Sequence, residues 1–283
     1  MNMLMRMLLA VLVLSLAGCR IDLARVVDNL GNMKTATVGV DAEEEAAIGF
    51  EAAATLLGAA PLLDDKEMQR YVNRVGRWVA MQSARPGLPW RFAVIDHPGV
   101  NAFAAPGGYV FITRGLLMQL RSEAELAGVL GHEIAHVVRR HHLEALKQQA
   151  RLALAGSALA VALEQRGRDA NDYAWVTEGA KTLYTRGLDR DDELEADRLG
   201  VVLAARAGYD PYGLLVVLQR LDAMAADDSR LALLFKTHPA PADRLEELAF
   251  RMDGRMDGLA AVDGAERFGI HVQRLGAGGM MAR

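Results

Sequence analysis

His132, Glu133 and His136 stand in the spacing His-Glu-x-x-His, inside the stretch VLGHEIAHVVRRHH at residues 129–142. On an α-helix, residues four apart share one face, one turn above the other, so both imidazoles aim at one point. Glu133 lies about 100° further round the helix. It borders that point without occupying a ligand position. Two neutral imidazoles suit Zn²⁺, and a carboxylate beside them can take a proton from a water held by the metal. A catalytic zinc site usually has three protein ligands and one open position, so a further ligand is needed. Residues 191–200, DDELEADRLG, offer candidates. Glu193 and Asp197 are again four apart on one face. Glu193 is placed to bind the metal, and Asp197 to accept a hydrogen bond from a ligand histidine and set its tautomer. Glu195 points elsewhere and is the weaker candidate. The bland alternatives are an amphipathic helix with surface histidines and a solvated acidic helix face.

The elements that must position these side chains can be traced outward. Leu126, Val129, Leu130, Ile134, Val137 and Val138 form an apolar stripe, and Ser122 with Glu125 fits a capping box at the helix start. Gly128 and Gly131 are poor helix formers, expected where another segment passes close to the metal. The helix is expected to run on through His141, His142, Leu143 and Lys147. His141 and His142, five and six residues past His136, are expected to be solvated. Upstream, residues 41–57 read as a helix opening on Asp41 and the acidic run Glu43–Glu45. Residues 64–82 read as a second, with Met68, Tyr71, Val72, Val75, Trp78 and Val79 on one face. Short strands are expected at 90–95, 101–105 and 109–113, the last two joined by Pro106-Gly107-Gly108. An edge strand beside a metal site can hold an extended peptide as an added strand. Asn101, Ala102, Phe103 and Ala104 are therefore candidate substrate-binding residues; a plain hairpin is the alternative. Helices are expected at 212–225 and 240–250, a strand at 268–272, and a mobile glycine-rich end. The fold class is α+β, mainly helical, with the active helix packed on a small sheet.

The 283 residues carry 32 basic and 36 acidic side chains, net −4. That near balance argues against a nucleic-acid partner. Residues 1–18 combine Arg6 with the apolar run 7–16, too short for the ~20 residues of a membrane span but fitting a signal peptide. Leu16-Ala17-Gly18-Cys19 resembles the bacterial lipobox, which makes Cys19, the one cysteine of the chain, the expected lipidation site. An ordinary secretory signal with an incidental cysteine is the alternative. A mature chain with no cysteine pair has to be stable through its core alone. The expected organisation is a lipid-anchored tether at 19–40, one domain at 41–250 and a partly mobile extension at 251–283. Arg20, where aspartate would resemble an inner-membrane retention signal, points to the periplasmic side of the outer membrane. Residues 152–163, twelve small or apolar residues, suit a buried hairpin helix or a greasy surface. Residues 166–172 read as a polar loop.

The sum of these motifs is specific. His-Glu-x-x-His is followed 57 residues after His136 (193 minus 136) by ELEADRLG, and this pairing resembles the zinc metallopeptidase family of the CAAX prenyl endopeptidases. Within it, the small bacterial periplasmic branch of BepA and LoiP type is the nearer match. NAFAAPGGYVFITRG at 101–115, residues 131–136 and THPAPADRL at 237–245 agree with it, and the resemblance covers roughly residues 41–250. Asp189-Arg190 departs from the family's common Ser-Arg. The resemblance implies a gluzincin fold, in which a second helix supplies the glutamate and the cleft runs between the helices. It implies one Zn²⁺ per chain on His132, His136 and Glu193, with Glu133 as general base. His238 becomes an extra ligand that plugs the open position or a donor to the oxyanion. Arg244 is implied to hold a carboxylate or the substrate backbone. The implied activity is endopeptidase cleavage of unfolded or misassembled cell-envelope proteins, with outer-membrane assembly machinery as a partner. The alternative is a periplasmic chaperone or assembly factor whose zinc is latched by His238. A purely structural zinc site is disfavoured, since such sites are usually rich in cysteine.

Overall fold

The computed structural model describes residues 40–148, 187–224, 228–232, 234–238 and 241–281. The expected signal segment, Cys19, the tether up to residue 39, and residues 152–163 and 166–172 lie outside the described residues. Two capped helices come first. Helix α1 (Ala42–Ala59) opens on Asp41, whose carboxylate accepts from the backbone N–H of Glu43 and Glu44 at 3.0 and 2.9 Å. Helix α2 (Lys66–Ala80) opens on Asp65, which accepts from Met68 N–H at 2.9 Å. Each cap satisfies backbone donors that the first helical turn leaves without partners. The periodic face of α2 is buried as expected, except that Trp78 is 49% exposed. Its indole N–H reaches the Ala207 carbonyl at 2.8 Å.

Strands β1 (Arg91–Ile95), β2 (Ala102–Ala105) and β3 (Tyr109–Thr113) form one sheet in the order β1-β3-β2. β1 pairs with β3 in parallel and β2 with β3 antiparallel, so β2 lies at an edge. Gly107 and Gly108 turn the hairpin at φ 76° and 97°, where a side chain would be strained. A short helix, α3 (Arg114–Leu117), leads to α4 (Glu123–Arg139), which carries the His-Glu-x-x-His residues and runs beside β2. Ser122 caps α4 by accepting from Glu125 N–H at 3.2 Å, and the Glu125 carboxylate turns back to Arg121 N–H at 2.8 Å. Leu126, Leu130 and Ile134 of α4 share one core with Val72, Val94, Val110 and Ile112. The helix therefore has the sheet and α2 on its apolar side.

Two expectations fail here. The active helix does not run on through His141. It stops at Arg140, which adopts the left-handed conformation at φ 62°, and residues 141–148 form a separate helix, α5. A non-glycine residue pays roughly 1–2 kcal/mol for that backbone. Glu45 of α1 pins the side chain of this residue by taking Arg140 Nη2 at 2.9 Å. The same buried carboxylate binds Arg85 in a fork at 2.8 and 2.9 Å. The second failure is the strand expected at 268–272. Phe268, Val272 and Leu275 all pack on the core, and their spacing of four and three is helical. They sit on α10 (Ala265–Met281).

The remaining helices are α6 (Arg190–Arg206), α7 (Gly213–Ala223), α8 (Leu234–Thr237) and α9 (Pro241–Met252). Glycines let α4 meet two of them backbone to backbone. A Cβ on Gly131 would lie 2.7 Å from the Gly200 carbonyl oxygen, and one on Gly200 would lie 2.7 Å from His132 N. A Cβ on Gly128 would lie 2.7 Å from Leu214 N. The close approach expected at Gly128 and Gly131 is thus present, and it seats α6 against His132. Gly200→Ala is expected to destabilise the chain by about 1–3 kcal/mol through overpacking. A lowered urea midpoint checks it, and an unchanged midpoint would show that α6 has room to retreat.

Candidate metal centre

Two helices and one loop converge on a single buried point. From α4, His132 Nε2 and His136 Nε2 face each other at 3.0 Å. From α6, Glu193 lies 3.5 Å from each of these nitrogens, through Oε2 to His132 and Oε1 to His136. His238, just past α8, places Nδ1 at 3.0 and 2.9 Å from the two Glu193 oxygens and Nε2 at 3.3 Å from the Ala102 carbonyl of β2. Ligand atoms of His132, His136, Glu193 and His238 all lie within 4.8 Å of one another. None of the four is more than 5% exposed.

The donor set fits a divalent cation. Two imidazole nitrogens and a carboxylate crowd together with lone pairs facing inward, which is repulsive unless a proton or a cation lies between them. Tetrahedral zinc with Zn–N near 2.0–2.1 Å would set its nitrogen ligands about 3.3 Å apart, close to the separation present here. A further sign is Glu133. It is 1% exposed, and its Oε2 is buried without a hydrogen-bond partner. Such a polar atom is costly unless something occupies the space before it. Its other oxygen, Oε1, lies 3.9 Å from His238 Nε2.

Behind these four side chains stands an ion-pair network. His132 Nδ1 donates to Asp197 Oδ1 at 2.9 Å. Arg244 of α9 grips Asp197 with Nε at 2.8 Å and Nη2 at 2.6 Å, and its Nη1 lies 3.3 Å from Glu193. Its forked donors are directed at the chain's own acids. The electrostatics follow from these contacts. Burial pushes Glu193 up, but His238, His132 and Arg244 outweigh it and hold the carboxyl well below its usual range. Burial likewise opposes Asp197, which Arg244 and His132 keep low. Burial and Arg244 push His132 down, yet its hydrogen bonds to Asp197 and Glu193 bring it to about 9. Burial, aided by His132, pushes His136 well down, and burial raises Glu133 against the pull of His238.

The motif spacing placed His132, Glu133, His136, Glu193 and Asp197 as candidates, the family resemblance added His238 and Arg244, and all seven meet here. Ala102 touches the site through its carbonyl, and Asn101 Oδ1 accepts from Thr237 Oγ1 at 3.2 Å. Phe103 instead packs with Ala53, Ile95 and Phe111. His141 and His142 correct an expectation: they are 6% and 7% exposed rather than solvated. The left-handed turn at Arg140 folds them back under His136, and His141 Nδ1 comes to 2.9 Å from His136 Nδ1. Burial pushes His142 down to about 3.

Comparison with known proteins agrees with the geometry. The model of peptidase family M48 matches residues 66–251. The chain belongs to that family. Among M48 relatives, the beta-barrel assembly-enhancing protease of Yersinia pestis is 31% identical over 228 residues, 77% of this chain and 46% of its own. Its counterpart in Escherichia coli strain K12 is 29% identical over 255 residues, 87% of this chain and 51% of its own. The mitochondrial metalloendopeptidase OMA1 of Arabidopsis thaliana is 32% identical over 193 residues, covering 66% of this chain and 37% of the plant protein. The chain spans about half the length of the bacterial M48 relatives it matches.

Proposed function

We propose that this M48 chain is a zinc-dependent endopeptidase acting on unfolded or misassembled proteins of the cell envelope. One observation carries the reading: the carboxylate of Glu193 and two imidazole nitrogens converge on one buried point, with the unpartnered Oε2 of Glu133 beside it. His132, His136 and Glu193 would hold the ion. Zn²⁺ bound there supplies Lewis acidity to a water and to the scissile carbonyl. Glu133 takes the proton of the attacking water at its free oxygen and returns it to the leaving amine. Asp197, backed by Arg244, holds His132 with its Nδ1 protonated and Nε2 free to bind. His238, with Nε2 3.9 Å from Glu133 Oε1, would serve either as a donor to the oxyanion or as a plug of the open position. The substrate backbone would lie along Asn101–Ala104, at the end of the sheet's edge strand, where selectivity for sequence is loose. The name of the bacterial relatives and the lipobox at Cys19 together support a lipid-anchored place on the periplasmic side of the outer membrane, near its assembly machinery. Among the described residues no helix is long and apolar enough to cross a membrane.

The test is cleavage of casein by the purified protein. Cleavage should stop on chelation and return on adding Zn²⁺. Cleavage indifferent to the chelator would sink the metal-dependent reading.

One feature favours the second reading, an assembly factor or chaperone latched by His238. The apolar pocket beside Glu133, walled by Leu116, Val129, Leu214, Val217 and Leu221, holds only about 40 Å³. That is room for a few waters at most, not for a peptide. Withdrawal of the segment carrying His238, which lines this pocket, would widen it for a peptide. His238→Ala is expected to raise casein turnover if the loop is a latch and to lower it if His238 serves the oxyanion. Comparing initial rates of the two proteins at equal zinc loading decides between them.

A further inference from the structure

His141 is a buried imidazole that the proposed mechanism does not use. Its Nδ1 lies 2.9 Å from His136 Nδ1, and its Nε2 lies 3.2 Å from Glu195 Oε2 and 3.5 Å from Asp192 Oδ1. We propose that His141 is a positioning residue for the metal site, linking His136 to Glu195 so that His136 presents Nε2 as a bare lone pair to the ion. The inference rests on the metal reading given above.

The proton arrangement follows from the outer end of the chain of contacts. Glu195 and Asp192 as carboxylates only accept hydrogen bonds, so a neutral His141 must carry its proton on Nε2. Its Nδ1 is then an acceptor. The hydrogen between the two Nδ1 atoms accordingly belongs to His136, and His136 Nε2, on the face toward His132 and Glu193, is left unprotonated. That is the tautomer a metal ligand needs. Arg139 holds the far end by taking Glu195 Oε1 at 2.6 Å.

The two histidines of the motif are thus served alike. His132 leans on a carboxylate, Asp197, that an arginine grips. His136 leans on a carboxylate that an arginine grips through one additional imidazole. The turn at Arg140 makes the second arrangement reachable. On an unbroken helix, His141 would stand about 140° round the axis from His136 and could not reach its Nδ1. Arg140 breaks the helix with its left-handed backbone, and Glu45 pins its side chain.

The experiment measures the Zn²⁺ dissociation constant by competition with a chromophoric chelator, and the visible absorption of the Co²⁺-loaded protein. The proteins are wild type, His141→Leu, His141→Asn and Glu195→Leu. His141→Leu should weaken zinc binding by about 10- to 100-fold and alter the cobalt bands. His141→Asn, whose side-chain oxygen can take the place of Nδ1 as acceptor, should recover most of the loss. Glu195→Leu should weaken binding by about 10-fold. Its side chain is 35% exposed, so this variant keeps the question decidable if His141→Leu does not fold. Wild-type affinity in His141→Leu or in Glu195→Leu would overturn the proposal, as would His141→Asn binding no better than His141→Leu. A wild-type protein that binds no zinc would overturn the metal reading as well, whereas equal tight binding by all four overturns only the role of His141.

Discussion

Glu133→Gln is expected to slow peptide hydrolysis by about 10²- to 10⁴-fold, the range for a positioned general base. Metal content should stay at the wild-type level, because Glu133 is not among the groups that converge on the ion position. The substitution keeps the size of a side chain that is 1% exposed, so packing should be conserved while basicity is lost. Stability gives a control. Burial raises the Glu133 carboxyl in the metal-free chain. An acid raised on folding loses folded stability as pH climbs through its unfolded value, because the unfolded state ionises first. Glutamine removes that loss. The metal-free variant should therefore unfold at a urea concentration no lower than wild type at pH 7. Rate constants on a quenched peptide, metal analysis and urea melts together check the prediction. Equal hydrolysis by both proteins would remove Glu133 from its assigned role.

The second large effect is on stability. Arg244→Leu is expected to cost about 3–5 kcal/mol, because it strips the partner from buried anions. Arg244 is 5% exposed, Asp197 1% and Glu193 0%. Its guanidinium makes two hydrogen bonds to Asp197 and approaches Glu193 at 3.3 Å. A leucine would fill part of the volume and leave both carboxylates without that charge. Zinc affinity should fall with it, since Asp197 would no longer be held against His132 Nδ1. Arg244→Lys should lie between the two, with the charge restored but the planar fork lost. Urea unfolding of the metal-free proteins, followed by circular dichroism, reads the difference. A change below about 0.5 kcal/mol, the scale of an ordinary surface substitution, would show that the ion pairs do not hold α6 and α9 together.

Much of this site was legible in the chain because its residues repeat at helical spacing. His132 with His136, and Glu193 with Asp197, are pairs four apart, and local geometry alone puts each pair on one face. Ser122, Asp41 and the Pro106-Gly107-Gly108 turn are likewise local signals, and each is found where the pattern places it. The same logic misjudged His141. Treating the helix as continuous sent its ring outward, since nothing in the residue types of Arg139-Arg140-His141 announces a left-handed turn. That turn is held by Glu45, nearly a hundred residues upstream in sequence (140 minus 45). Only contact between α1 and the end of α4 reveals it. The strand expected at 268–272 failed for a different reason. Its helical period shows only when Leu275 is counted with Phe268 and Val272, beyond the window that was read as a strand.

The amino-acid order by itself determined the chemistry available: two imidazoles one turn apart, an adjacent base, and an acid pair on a second helix. Tertiary structure decided which outlying groups complete it. His238 and Arg244 stand 102 and 108 residues beyond His136 (238 minus 136, 244 minus 136). No spacing rule links them to it. They arrive because α9 packs on α6, and because Gly131 and Gly200 allow α4 and α6 to touch backbone to backbone. Side-chain periodicity acts over one or two turns, whereas the distance between two helices is set by whatever lies between them, here the absence of two β-carbons.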